Sequence, residues 1–149
     1  MKDLEIKVLD DKMYEYPLRY ATEGSAGIDL RASITEQVRL YPKQRCLFKT
    51  GIAVNINDPS IAGLITSRSG LNLKHGVRVS LGVGTIDSDY QDELGVILYN
   101  DGQDIYSVEP YERIAQIVFM PVYQMSLDLV EEFSYNNNRG GGFGSTGKT

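Results

Sequence analysis

Apolar and polar residues alternate along most of this chain. "LEIKVL", "EQVRLY", "CLFKTGIAVNI", "ELGVILYN" and "RIAQIVFMPVY" are rich in Val, Ile, Leu, Phe and Tyr, as expected of strands that bury one face. Turn clusters such as "NDPS" and "NDGQD" separate them, and short strands at that spacing predict a sandwich or barrel. Pro59, Pro110 and Pro121 interrupt the apolar runs; proline cannot donate to a ladder, so strand ends and edges are expected there. One segment breaks the alternation. In "SRSGLNLKHG", Leu71, Leu73, Lys74 and His75 suit one or two helical turns, with Ser67 or Ser69 at the start and Gly76 as the stop. Low complexity begins only near Asn136, which predicts an ordered β-domain over residues 1–135 and a flexible, glycine-rich arm over 136–149.

Composition narrows the class. A chain of 149 residues can fold as one domain without disulfides or metal staples. Its net charge of −5 argues against nucleic-acid and membrane-surface partners, which require a basic face. A small polyanionic ligand needs only a local cluster of donors and stays open. Cys46 is the sole cysteine, so no intrachain disulfide can form; a buried, inert thiol in a reducing compartment is expected. The opening "MKDLEIKVLDD" reads as a strand rather than a signal peptide, and no apolar run is long enough for a membrane helix. A soluble, cytoplasmic protein is expected.

Four stretches carry candidate chemistry, each beside a plainer reading. "TSRSG" places two hydroxyls, an arginine and a glycine at a helix entry, the parts of a phosphate or carboxylate site; a serine cap beside a solvated arginine would look the same. In "GVGTIDSDYQDELGVILYN", Gly82 and Gly84 permit tight turns, and alternation sends Asp87 and Asp89 to one face. An aspartate there could accept a proton from water, or it could be part of a polar hairpin turn. Arg113 and Gln116 are polar positions in the apolar "PYERIAQIVF", which an edge strand with a solvated face would also explain. Asp29 in "AGIDLRA" faces away from its apolar neighbours and could form a structural salt bridge. His75, the only histidine, has no histidine or cysteine partner nearby for a protein-built zinc site and is expected at the surface or behind the site.

Taken in order, "AGIDLRA", "SRSGLNLKHG", "GTIDSDYQDELGVILYN", "ERIAQIVFMP" and "RGGGFGSTG" resemble the five motifs of the trimeric dUTP pyrophosphatases, and they span essentially the whole chain. The resemblance implies an all-β fold, a distorted jelly roll or β-clip with one short helix, assembled as a homotrimer with active sites shared across subunit interfaces. It implies Mg2+-assisted hydrolysis of dUTP to dUMP and pyrophosphate, which supplies dUMP and keeps uracil out of DNA.

Position by position, Asp87 matches the general base that activates water for in-line attack on the α-phosphorus. Arg68, Ser69 and Gly70 match the loop that holds the phosphates from a neighbouring subunit, and Gln116 a glutamine on the phosphate side. Tyr90 matches the aromatic packed on the deoxyribose. Leu81, Thr85, Ile86 and Asp87, with Gly95 on the next strand, match the hairpin that reads uracil. Asp29 matches an aspartate that supports the Mg2+ through water, the metal itself riding on the triphosphate. Arg139 and Phe143 match the arm that closes over the nucleotide, arginine on the γ-phosphate and aromatic on uracil. Leu81 stands where many bacterial members carry an asparagine. Asp92 and Tyr111 stand where a turn glycine is usual, which leaves a Pro-Tyr turn expected to be type I. The last motif is one residue short between Arg139 and Phe143. Two other readings are a dCTP deaminase relative of the same fold, and a trimeric interaction module that binds a regulatory protein with catalysis secondary.

Overall fold

The computed structural model describes residues 3–135. Ten strands and one α-helix follow in the order β1 (Glu5–Val8), β2 (Gly27–Arg31), β3 (Val38–Leu40), β4 (Arg45–Asn55), β5 (Ile61–Ser67), α1 (Ser69–His75), β6 (Val77–Val79), β7 (Val83–Ile86), β8 (Glu93–Asn100), β9 (Tyr106–Val108) and β10 (Arg113–Pro121), with a 3-10 turn at Asp11–Glu15. The strands form two four-stranded sheets, ordered β1-β4-β8-β6 and β2-β10-β5-β7, and a small β3-β9 pair. Every pairing is antiparallel. This is the all-β jelly roll with one short helix that the motifs implied.

Alternation explains which side chains turn inward. In β8, Leu94, Val96, Leu98 and Asn100 are buried while Ile97 between them is exposed. In β4 the same pattern holds from Arg45 to Thr50 and then stops. Gly51 takes a left-handed φ of 71° where the register against β8 shifts, and an added Cβ would lie 2.9 Å from that of Asp10. Beyond that bulge, Ile52, Ala53 and Val54 are all buried. One core results, with Leu30 and Ile114 from one sheet meeting Phe48, Leu94 and Leu98 from the other. Its two buried polar side chains, Thr50 and Asn100, are both satisfied: Thr50 Oγ1 donates to the Leu94 carbonyl at 2.8 Å, and Asn100 Nδ2 donates to the Leu40 carbonyl at 2.9 Å.

Several expectations are met in altered form. Gly76 does stop α1, at φ 68°, but the residue before the helix is Arg68 and it makes no side-chain cap. Ser67 is occupied elsewhere, its Oγ accepting from the Val79 N–H at 2.8 Å. β7 and β8, the two strands of the expected uracil-reading hairpin, do not pair with each other; they belong to different sheets, β7 pairing with β5 and β8 with β4 and β6. The Pro110 turn is not type I, because Tyr111 takes a φ of 58°, the left-handed third position of a type II turn. Asp92 has no left-handed backbone among the described residues. Cys46 is half-buried against the core rather than enclosed. Prolines behave as expected: Pro121 ends β10, and Pro59 and Pro110 lie in the turns that precede β5 and β10. Residues 122–135 run on without regular secondary structure. Among the described residues no helix is long and apolar enough to cross a membrane.

Candidate active site

Strand register builds one side of the site. On the central strand β10, Gln116 lies opposite Asp29 of β2 and opposite Thr66 of β5. An edge position for Arg113 and Gln116 is therefore excluded. Two residues past Thr66 the chain leaves β5 and enters α1, so Arg68, Ser69 and Gly70 stand at the end of the same row. Together Asp29, Arg68, Ser69, Gly70 and Gln116 line an open, mostly polar cleft of about 460 Å³.

Charge organises this cleft. Arg68 Nε lies 3.1 Å from Asp29 Oδ1, and Arg113 Nη1 lies 3.2 Å from Asp29 Oδ2. Arg68 Nη1 also donates to the Arg113 carbonyl at 3.1 Å. Asp29 is thus the structural salt bridge of the plainer reading, and at the same time a wall of the cleft. The missing cap leaves the first turn of α1 without a side-chain partner from Arg68. Gly70 has nothing within 4 Å of where a Cβ would stand, so its backbone is open to approach.

Sequence reasoning missed two contributors and placed a third, His75, only at the surface or behind the site. Lys74 and His75, from the last turn of α1, line the same cleft; Lys74 lies four residues, one turn, past Gly70, which was the available signal. His75 is exposed and its ring sits 4.9 Å from that of Tyr106. Burial, followed by a hydrogen bond to Glu112, raises the Tyr106 hydroxyl well above its ordinary pKa, so it stays a donor to that carboxylate. The other missed contributor is Gly27 on β2. A Cβ there would lie 2.9 Å from Gln116 Oε1, so the absence of a side chain makes room for the glutamine. Beside it, Thr66 Oγ1 is buried with no hydrogen-bond partner, unlike any other side-chain oxygen or nitrogen among the described residues.

Asp87 and Tyr90 are not brought to this cleft. Asp87, just beyond β7, is exposed and lines a separate hollow with Asn55, Asn57, Ser88 and Asp89. The loop after it is held by Tyr90, whose N–H donates to the Asp87 carbonyl at 3.2 Å and whose hydroxyl donates to the Glu93 carbonyl at 3.0 Å. Leu81 and Thr85 are exposed and Ile86 half-buried. Gly95 lies on β8, in the other sheet, where an added Cβ would come 2.8 Å from the exposed Leu47 side chain. Arg139 and Phe143 lie outside the described residues. Within one chain the residues expected at the site are therefore not gathered into a single cleft. Among the described residues no group of three or more His, Cys, Asp or Glu side chains could hold a metal ion.

A profile of the dUTPase family matches residues 16–147. The chain belongs to the dUTPase family. It is 47% identical over 149 residues to a deoxyuridine 5'-triphosphate nucleotidohydrolase of Polynucleobacter asymbioticus, covering 100% of both chains. It is 50% identical over 150 residues to the enzyme of that name from Cronobacter sakazakii, covering 99% of each. Among solved structures, the dUTPase of Staphylococcus bacteriophage 80alpha with dUpNHpp superposes with a TM-score of 0.87 at 30% identity, covering 99% of each chain. The family read from five motifs is the family found, and the dUTPase fold accounts for the sheet order around the cleft.

Proposed function

We propose that this protein is a dUTP diphosphatase that takes dUTP with its Mg2+ as substrate and releases dUMP and pyrophosphate. The observation that carries this reading is membership of the dUTPase family over residues 16–147 together with the polar cleft of Asp29, Arg68, Ser69, Gly70 and Gln116. A triphosphate needs positioning and charge neutralisation more than covalent help. Arg68, the Ser69 hydroxyl, the backbone at Ser69 and Gly70, and the Gln116 amide supply donors for its oxygens. Asp87 accepts a proton from a water, whose oxygen attacks the α-phosphorus in line while the bond to the bridging oxygen of the pyrophosphate group breaks.

Asp87 and the phosphate cleft open onto separate hollows of one chain, so a complete site takes them from two subunits. That is the arrangement of a homotrimer with shared sites. Tyr90 then packs on the deoxyribose, and Leu81, Thr85, Ile86, Asp87 and Gly95 read uracil, largely through backbone groups. Arg139 and Phe143 close over the γ-phosphate and the base. Both Asp29 oxygens face arginines and the described residues offer no cage of carboxylates. Asp29 would support, through water, a magnesium ion carried on the triphosphate, an ion that prefers octahedral oxygen and keeps its waters and that would neutralise phosphate charge. A solved relative from phage phi11 of S. aureus, alike in fold, is described with a structural Mg(II) ion.

The test is pyrophosphate release from dUTP, dTTP, dCTP and UTP with Mg2+. Release from dUTP alone is expected. Ammonia from dCTP would instead indicate the deaminase relative, and no turnover of any of the four would reject the enzyme reading.

A further inference from the structure

Arg31 ends β2 and Arg113 begins β10, and the register sets them directly opposite each other. Like charges facing across a ladder destabilise a sheet, so this pair needs compensation. Asp29 supplies part of it, through its contact with Arg113. Arg31 is fixed otherwise: Nη1 donates to the Tyr111 carbonyl at 2.7 Å, and the guanidinium lies 4.7 Å from the centre of the Tyr16 ring. Neither contact neutralises its charge. A third arginine, Arg19, lines the same hollow and makes no ion pair among the described residues.

These three arginines surround a hollow of about 190 Å³, several times the roughly 30 Å³ that a water molecule takes in the liquid. Among the described residues Asp29 is the only acidic one that lines it, and Asp29 also lines the phosphate cleft. Two hollows therefore meet at one carboxylate that is already held by Arg68 on one side and Arg113 on the other.

We propose that Arg19, Arg31 and Arg113 form a second oxyanion site, separate from the phosphate cleft and adjoining it at Asp29, that takes inorganic phosphate or pyrophosphate. A guanidinium whose plane is fixed offers a fork that matches two phosphate oxygens at once. Arg31 is fixed in that way by its carbonyl and ring contacts, and Arg19, which makes no ion pair among the described residues, completes the set. An anion here relieves the Arg31–Arg113 repulsion. It also competes with Asp29 for Arg113, which frees one carboxylate oxygen toward the phosphate cleft. Free pyrophosphate, the leaving product of the reaction proposed above, would then have a second station next to the place where it forms.

The experiment is titration of the full chain with phosphate and, separately, with pyrophosphate, by calorimetry at low ionic strength. Each is run with and without saturating dUpNHpp and Mg2+ to fill the phosphate cleft. Binding that persists with the cleft filled is expected, and Arg19→Glu should weaken it about tenfold or more while dUTP turnover stays within about twofold of the parent. Arg19→Lys should recover part of the affinity. Whether phosphate or pyrophosphate binds more tightly identifies the occupant. Loss of all anion binding when dUpNHpp is present, or equal affinity in Arg19→Glu and the parent, would overturn the site. The titration needs no turnover, so a protein that binds the anion but does not hydrolyse dUTP would sink the enzyme reading and leave this one standing.

Discussion

Asp87 is the residue on which turnover should depend most. It is exposed, carries no hydrogen bond from its own side chain among the described residues, and lies beyond the last position of β7. Its replacement should cost little stability. Asp87→Asn is expected to lower turnover by about 10²–10⁴, the usual weight of a general base, with an unchanged circular dichroism spectrum and melting point; near-parental turnover would remove Asp87 from that role. Asp10 is a contrasting carboxylate, structural rather than chemical. The Ser33 hydroxyl, then the Tyr111 hydroxyl, hold its pKa below the usual range, against a raising effect of burial. A group depressed in the folded state binds fewer protons there than in the unfolded chain, so stability rises with pH across that interval. Asp10 should therefore stabilise the fold above its unfolded pKa of about 3.9 and lose that contribution as pH falls through the lower folded value. Melting curves of the parent and Asp10→Asn should lie apart at neutral pH and converge in acid. Curves that stay parallel down to the acid limit would contradict it.

At the level of elements, the cleft depends on what β2 leaves out as much as on what it carries. Gly27 lies opposite Val118, two positions along β10 from Gln116, and gives the glutamine side chain its space. Gly27→Ala should keep the fold and push Gln116 from the cleft, lowering kcat/KM for dUTP about as far as Gln116→Ala does. The double variant should then be no worse than Gln116→Ala alone, since both changes act on one interaction; additive losses would show that Gly27 acts elsewhere. The turn into β10 illustrates a different trade. Tyr111 holds a left-handed backbone that costs an ordinary residue about 1–2 kcal/mol. Its ring is buried, stacks 5.2 Å from Tyr16, and its hydroxyl donates to Asp10 at 2.8 Å. Those contacts offset the strain, and the Tyr111 carbonyl they hold in place is the one that fixes Arg31.

For the whole molecule, the two separate hollows lead to a test of subunit sharing. Asp87→Asn chains and Arg68→Ala chains should each be nearly inactive alone. Unfolded together in equal amounts and refolded, they should regain about a quarter of parental turnover, because three-quarters of randomly mixed trimers are mixed and each of those has one intact site in three. No recovery beyond the sum of the two variants would place Asp87 and Arg68 in the same subunit's site. The arm gives a second test at this scale. A chain ending at Asn138 should assemble as the parent does and still bind dUMP, while hydrolysing dUTP far more slowly, since closure excludes water and strengthens the charge interactions inside. Parental turnover from that chain would reject a closing role for Arg139 and Phe143.

The sequence by itself determined the strands of β1, β3, β4, β8 and β10, the short helix with Gly76 at its end, and the family. The elements follow from alternation and turn chemistry, which act between residues a few positions apart, and the family from the order of five motifs along the chain. Tertiary structure alone decided the rest. It put β10 at the centre of a sheet, sent β6 and β7 to different sheets, set Arg31 opposite Arg113, and fitted Gln116 into the space over Gly27. Asp29 and Arg113 meet across 84 positions of chain, and no local pattern specifies a contact of that range. It exists because two strands must pair in the one register that buries their apolar faces together, and the polar residues on the opposite face are carried into place with them.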